Sequence, residues 1–182
     1  MNLKIPDWVN ELQASLQREF GNGPNIAALA TVDADGQPQA RSIVIREIAA
    51  DGAIRFVTDG RSAKVTELSI SPKVQLLIWL PSLRVQYRLS GEAQREVELA
   101  TVVANWDRLS EASKAMFFWN TPAARIDGCA GTLAAPRTDV PRNFAVYRVV
   151  LSKADFLSLT VTPHLRWISC ESDGWKRDPI DP

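Results

Sequence analysis

The chain has 182 residues, and its 21 Lys plus Arg are balanced by 21 Asp plus Glu, so it carries no net charge at neutral pH. That balance removes the global positive field on which nucleic-acid or anionic-membrane binding relies. One histidine, His164, and two distant cysteines, Cys129 and Cys170, exclude a His-rich metal centre within one chain and a disulfide framework, and leave His164 as the only imidazole base for a hydrolase.

The length fits one domain, 1–182, able to bury a core without metals or disulfides. The start, "MNLKIPDWVNEL", lacks the basic and apolar regions of a signal peptide, and the longest apolar run, "VQLLIWLP", is too short to cross a bilayer. The expectation is a soluble, cytoplasmic protein with both cysteines as free thiols and no membrane, nucleic-acid or metal partner.

Trp8, Leu12, Leu16 and Phe20 recur every four residues, which predicts an amphipathic helix over 7–20 with Asp7 as N-cap and Gly21 and Gly23 ending it. "IAALATV", "QARSIVIREI" and "AIRFVT" follow, separated by Asp35-Gly36 and Asp51-Gly52. Asp-Gly between β-rich runs is a strong hairpin signal, so the three form an antiparallel meander. "SAKVTELSI" predicts a helix of about two turns, stopped by Ser71-Pro72. "KVQLLIWL" and "LRVQYRLSGEA" predict two strands joined by a tight "PS" turn. The second alternates Leu83, Val85, Tyr87 and Leu89 against Arg84, Gln86, Arg88 and Ser90. Residues 96–119 read as two helices meeting near Ser110, 125–143 as a loop, "FAVYRVVLS" as a strand, and the end as a hairpin around Asp173-Gly174. Strands, then helices, then strands predict a mainly β fold: a small β-barrel with flanking helices.

"RFVTDGRSAK" gathers Arg61, Ser62 and Lys64 where a strand hands over to a helix. A helix start presents free N–H groups and the positive dipole end, and two cations with a hydroxyl complete a phosphate cradle. Taken alone, the stretch reads first as a surface helix capped by Asp59 or Ser62 with solvated cations. Arg41 and Arg46 bound an apolar strand, and five apart they point to opposite faces unless a bulge intervenes.

The ordered segments "ATVDADGQPQARSIVIRE", "RFVTDGRSAKVTELSISPKVQLLIW", "VQYRLSGEA" and "HLRW…GWKRD" resemble the pyridoxamine 5′-phosphate oxidase family, from about Ala28 to the C-terminus and most closely up to Ala93. The resemblance implies the FMN-binding split β-barrel and a flavoprotein close to the oxidase-related branch. It implies that Arg41 reaches the FMN phosphate, that Ile43, Val44 and Ile45 run along the flavin, and that Arg46 stands where the family has Lys. It matches Val57 and Thr58 to a Tyr-Thr pair, and Ser62 and Lys64 to the ends of a Ser-Arg-Lys phosphate clamp. Ala63 takes the middle place, with Arg61 as its candidate substitute. Gln86 matches a glutamine that approaches the flavin from the partner subunit. His164 and Arg166 match a His-x-Arg near substrate and cofactor, and are the catalytic candidates. Arg46 or Arg166 beside the ring would stabilise anionic reduced flavin.

Three charge-assisted hydrogen bonds to a phosphate contribute about 5 to 8 kcal/mol, against an association cost of about 4 to 15 kcal/mol. The ring must therefore also be buried, and the family resemblance implies that a homodimer with two interfacial FMN sites buries it.

The departures from the family fall on the substrate side. Trp106 stands near a substrate-phosphate Tyr, "TPHLRW" lacks the first Arg and the Asp of its motif, and Leu157 replaces a flavin-side Trp for which Trp119 or Trp167 are candidate substitutes. Three readings follow: an FMN-dependent oxidoreductase, a non-enzymatic flavin-binding or storage module, and a barrel binding single-stranded nucleic acid through Arg84 and Arg88. Each named residue also has a plainer account, such as Arg166 pairing with Asp155 or Glu171.

Overall fold

In the computed structural model, residues 6–49, 51–118 and 139–182 are described. Helix α1, Asp7–Phe20, is followed by strands β1, Asn25–Val32, β2, Pro38–Ile48, and β3, Ile54–Asp59. Next come α2, Ala63–Ile70, β4, Lys73–Leu80, and β5, Val85–Arg95. Helices α3, Leu99–Asp107, and α4, Glu111–Ala115, with a 3₁₀ turn at Met116–Phe118, precede β6, Phe144–Ser158, β7, Leu165–Cys170, and β8, Arg177–Ile180. All strand pairs are antiparallel, in the order β3-β2-β1-β4-β5-β6-β7-β8, and β3 also pairs with β6. That pairing closes a six-stranded barrel and leaves β7 and β8 as a hairpin on its flank.

The two-residue period decides what enters the barrel. Leu29, Ile43, Ile45, Phe56, Leu76, Ile78, Tyr87 and Leu89 point inward and are buried. Trp8, Val9, Leu12 and Leu16 of α1 join this core, which explains the four-residue stripe. Along the first four residues of β6 alternation disappears and all are buried. One face of that stretch meets the barrel core through Ala145 and Tyr147; the other meets Trp106, Leu109 and Phe117 through Phe144 and Val146.

The Asp-Gly turns fall where expected, with Gly36 and Gly52 at φ 78° and 83°, a region that disfavours side chains. Several local expectations are corrected. Pro6, not Asp7, takes the N-cap position of α1; Asp7 is its first helical residue, where its carboxylate still faces the positive dipole end. The β4–β5 connection spans 81–84, and Arg84 sits in it at φ 52° rather than on the strand. A register shift between Ile45 and Glu47 interrupts the β2–β3 ladder at Arg46. β6 continues six residues past Ser152, because its far half pairs with β5 and β7. Cys170 is half-buried and free; Cys129 and Trp119 lie outside the described residues.

Candidate functional site

At one end of the barrel β2, β3, the start of α2 and the α4 region enclose an open cleft of about 450 Å³. Ser42, Val44 and Arg46 share the outward face of β2, and Val57 and Thr58 close β3. Met116 and Phe117 form the facing wall, with Ile26 of β1 beside them.

The polar end is built on Lys64. Its Nζ donates to Thr58 Oγ1 at 3.0 Å and to Ser62 Oγ at 3.2 Å, and among the described residues it forms no ion pair. Burial, and next the Arg41 charge, pull the Lys64 pKa below its ordinary value, against the attraction of Glu67 and Asp59. Ser62 occupies the N-cap position of α2, but its hydroxyl donates to the Asp59 carbonyl at 2.7 Å instead of capping the helix. Arg61 turns onto Asp59, Nη2 to Oδ2 at 2.6 Å, and Asn143 Nδ2 donates to the same carboxylate at 2.9 Å. Burial pushes the Asp59 carboxyl up, but these partners outweigh it and hold it below the usual carboxylate range. Arg61 thus lies outside the residues lining the cleft, while Asp59 lines it.

Arg41 lies beneath this end. Its Nη2 donates to Glu67 Oε2 at 2.6 Å and its Nη1 to Thr31 Oγ1, while Thr31 Oγ1 donates to Glu67 Oε2 at 2.5 Å. Ile43 and Ile45 point mainly into the core, so Val44 is the outward residue of that trio. Arg46 lines both the cleft and a separate hollow against α1 that contains Gln13 and Gln17, with no ion pair among the described residues.

The remaining expected residues are elsewhere on the outer sheet surface. Trp79 of β4 pairs with Gln86 of β5, Gln86 with Leu157 of β6, and Leu157 with Arg166 of β7. In the adjoining row Arg88 pairs with Asp155. The Asp155 carboxylate is buried and accepts from Arg166 Nε at 3.1 Å, from Arg166 Nη2 at 2.9 Å and from Arg88. Burial pushes the Asp155 carboxyl up, and the two guanidiniums outweigh it and hold it low. His164 is exposed, its Nδ1 donating to the Val161 carbonyl at 3.0 Å. One chain therefore carries two separated groups, the Lys64 cleft and the Gln86–Arg166 band.

Two substrate-side expectations change. Trp106 does not face the cleft: it is 1% exposed and packs edge-on against Phe117, Phe118 and Phe144. Trp167 is stacked on Phe156 in the core, so it does not replace the tryptophan absent at Leu157. Arg84 leaves the strand and Arg88 shares the Asp155 carboxylate with Arg166, so the strand face expected to carry Arg84 and Arg88 together does not. Sequence reasoning missed Ile26, Ser113, Met116, Phe117 and the buried polar pair Thr31 and Glu67. Thr31 carried one faint signal, a hydroxyl at the core-facing parity of Ala27 and Leu29.

The family profile described as pyridoxamine 5′-phosphate oxidase, FMN-binding domain, matches residues 5–103. A pyridoxine/pyridoxamine 5′-phosphate oxidase of Rhodopseudomonas palustris (strain HaA2) is 30% identical over 158 residues, 80% of this chain and 73% of that protein. The chain belongs to the pyridoxamine 5′-phosphate oxidase family. Its cofactor is accordingly FMN. The corresponding oxidase of Paracoccus denitrificans (strain Pd 1222) is 42% identical over 91 residues, 48% of this chain but 41% of the relative, so the chain spans less than half of that protein's length. Among solved structures, a pyridoxamine 5′-phosphate oxidase-related, FMN binding protein from Nostoc punctiforme PCC 73102 superposes with a TM-score of 0.90 at 25% identity, covering 98% of this chain and 100% of that one. PhzG from Burkholderia lata 383, solved with tetrahydrophenazine-1-carboxylic acid, shares the fold with a TM-score of 0.77 at 24% identity, over 96% of this chain and 89% of that one. The profile match takes in Arg41, Lys64 and Gln86 and ends before Asp155, His164 and Arg166.

Proposed function

We propose that this family member is an FMN-dependent oxidoreductase that works as a homodimer. The observation that carries the reading is Lys64, a half-buried cation whose partners are two hydroxyls rather than a carboxylate. Such a group favours an incoming anion, because an unpaired cation away from water is costly. Lys64, Ser62, Thr58 and the uncapped N–H groups of α2 would hold the phosphate. Val44 and Val57 offer apolar surface to the ring, and Ile26, Met116 and Phe117 continue it.

A cleft open on one side buries only one face of a planar ring. The outer surface next to it exposes Leu77 and Trp79, 38% and 43% accessible, beside Gln86. Docking two copies through that surface would cover these side chains and bring one subunit's Gln86 and Arg166 to the other's cleft. Bound FMN supplies the capacity to accept a hydride or its equivalent from an amine or a reduced nicotinamide. The protein binds and orients it, excludes water with the Met116–Phe117 wall, and sets positive charge near it through Arg46 and Arg166.

With Trp106 buried and Ser113, Met116 and Phe117 on the wall, a substrate phosphate finds little at that side beyond Arg46. Turnover of pyridoxamine 5′-phosphate by the FMN-loaded protein is expected to be marginal, while reduced nicotinamides or non-phosphorylated amines bleach the flavin. Brisk oxidation of pyridoxamine 5′-phosphate would contradict the substrate-side account. A flavin that no amine or nicotinamide reduces would favour a storage module.

A further inference from the structure

We propose that Glu67 is a positioning residue for the phosphate end of the FMN site, pinning Arg41 and Thr31 beneath Lys64; this rests on placing the phosphate at Lys64. Thr31 and Glu67 are 3% and 6% exposed, yet both are polar, and Thr31 sits at the core-facing parity of Ala27 and Leu29. Three hydrogen bonds close a triangle among Thr31 of β1, Arg41 of β2 and Glu67 of α2. The triangle directs two donors onto one carboxylate oxygen, Glu67 Oε2, uses the Thr31 hydroxyl as donor and acceptor at once, and engages two of the five N–H donors of Arg41.

Its consequence for the site follows from helix geometry. Lys64 is three residues before Glu67, so both side chains leave α2 on the same face. Fixing Glu67 to the β1–β2 hairpin fixes the rotation of α2, and with it the direction of Lys64 and of the first N–H groups. The same carboxylate offsets the repulsion between Arg41 and Lys64, two cations gathered at one barrel end. Among the described residues Arg41 has no other acidic partner, so without Glu67 it would be an unneutralised, partly buried charge.

A clamp and a bare charge predict opposite signs. As a bare negative charge near a phosphate, Glu67 would weaken FMN binding, and its removal would tighten it. As a clamp it strengthens binding, and its removal loosens it.

The test is a fluorescence titration of FMN and of riboflavin, which lacks the phosphate, against the wild-type chain, Glu67→Gln, Arg41→Met and the double variant. Glu67→Gln should lower FMN affinity about tenfold, equivalent to about 1.4 kcal/mol, and leave riboflavin within about twofold. The double variant should bind FMN no worse than Arg41→Met alone, because both substitutions break one unit. Thr31→Val should reproduce part of the FMN loss and Thr31→Ser should restore it, a comparison that serves if Glu67→Gln does not fold. FMN binding by Glu67→Gln as tight as wild type or tighter, equal loss of both flavins, or additive losses in the double variant would overturn the proposal. Wild-type protein that does not discriminate FMN from riboflavin would instead refute the phosphate placement itself.

Discussion

Lys64 shows how far a single side chain constrains function. Its ammonium sits on two hydroxyls, and burial first, then the nearby Arg41 charge, lowers its pKa below the ordinary 10.5. The ligand-free protein therefore loses the Lys64 proton at a lower pH than an exposed lysine would, and a bound dianion favours keeping it. FMN affinity should climb through about pH 6 as the phosphate gains its second charge. It should then fall as pH rises through the depressed Lys64 value, before 10.5 is reached. A Lys64→Arg variant should move that alkaline limb upward, and an unmoved limb in the flavin titration would assign the loss to another group. Arg61, the candidate substitute for the clamp's middle cation, is turned onto Asp59, and the cleft is lined by that carboxylate instead. Asp59 lies two residues before Arg61 in "TDGRSAK", and Asn143, 84 residues away in sequence, donates to the same carboxylate, a contact the stretch itself does not show.

Elements were legible where their signals were local. The α1 stripe and the two Asp-Gly turns rest on neighbours within four residues, and all three stand where expected. The same holds for α2 and for the pair of helices around Ser110. What was not legible depends on pairing across long separations. β6 runs through Lys153 and Asp155, poor strand formers, because β5 and β7 hold it on both sides. Arg84 looked like part of an alternating strand until the β4–β5 turn took four residues. Trp106 could equally have faced a cleft or a core, and its ring lies among the phenylalanines. Asp155 is the clearest element-scale device, since it ties β5, β6 and β7 together through Arg88 and Arg166. Asp155→Asn should cost about 2 kcal/mol, below the ~3–5 kcal/mol of a fully buried pair, because the Arg88 and Arg166 side chains are 37% and 25% exposed. The sign with pH is set by a carboxyl held low in the fold: its stabilisation is present above the unfolded pKa and is lost as pH falls through the folded one. Denaturant melts of both proteins at neutral pH and at pH 3 check this. A gap between them that does not narrow in acid would contradict the assignment.

At the scale of the whole molecule, the candidate residues fall into two groups. The cleft gathers Val44, Arg46, Val57, Thr58, Ser62 and Lys64, while Gln86, His164 and Arg166 lie beyond β4 on the outer surface. Such a division is what two copies joined through that surface would resolve. Light scattering should give the mass of a dimer, and Trp79→Arg should yield monomer that binds FMN at least tenfold more weakly. A monomeric wild-type protein with full FMN affinity would remove the need for a partner. The phosphate end does not depend on that result, because its groups come from one chain. It is most directly tested by comparing the FMN and riboflavin affinities of wild type and Lys64→Met. The account predicts that the substitution weakens FMN about a hundredfold, or about 2.7 kcal/mol, and changes riboflavin little. Equal losses for the two flavins, or none for either, would contradict it.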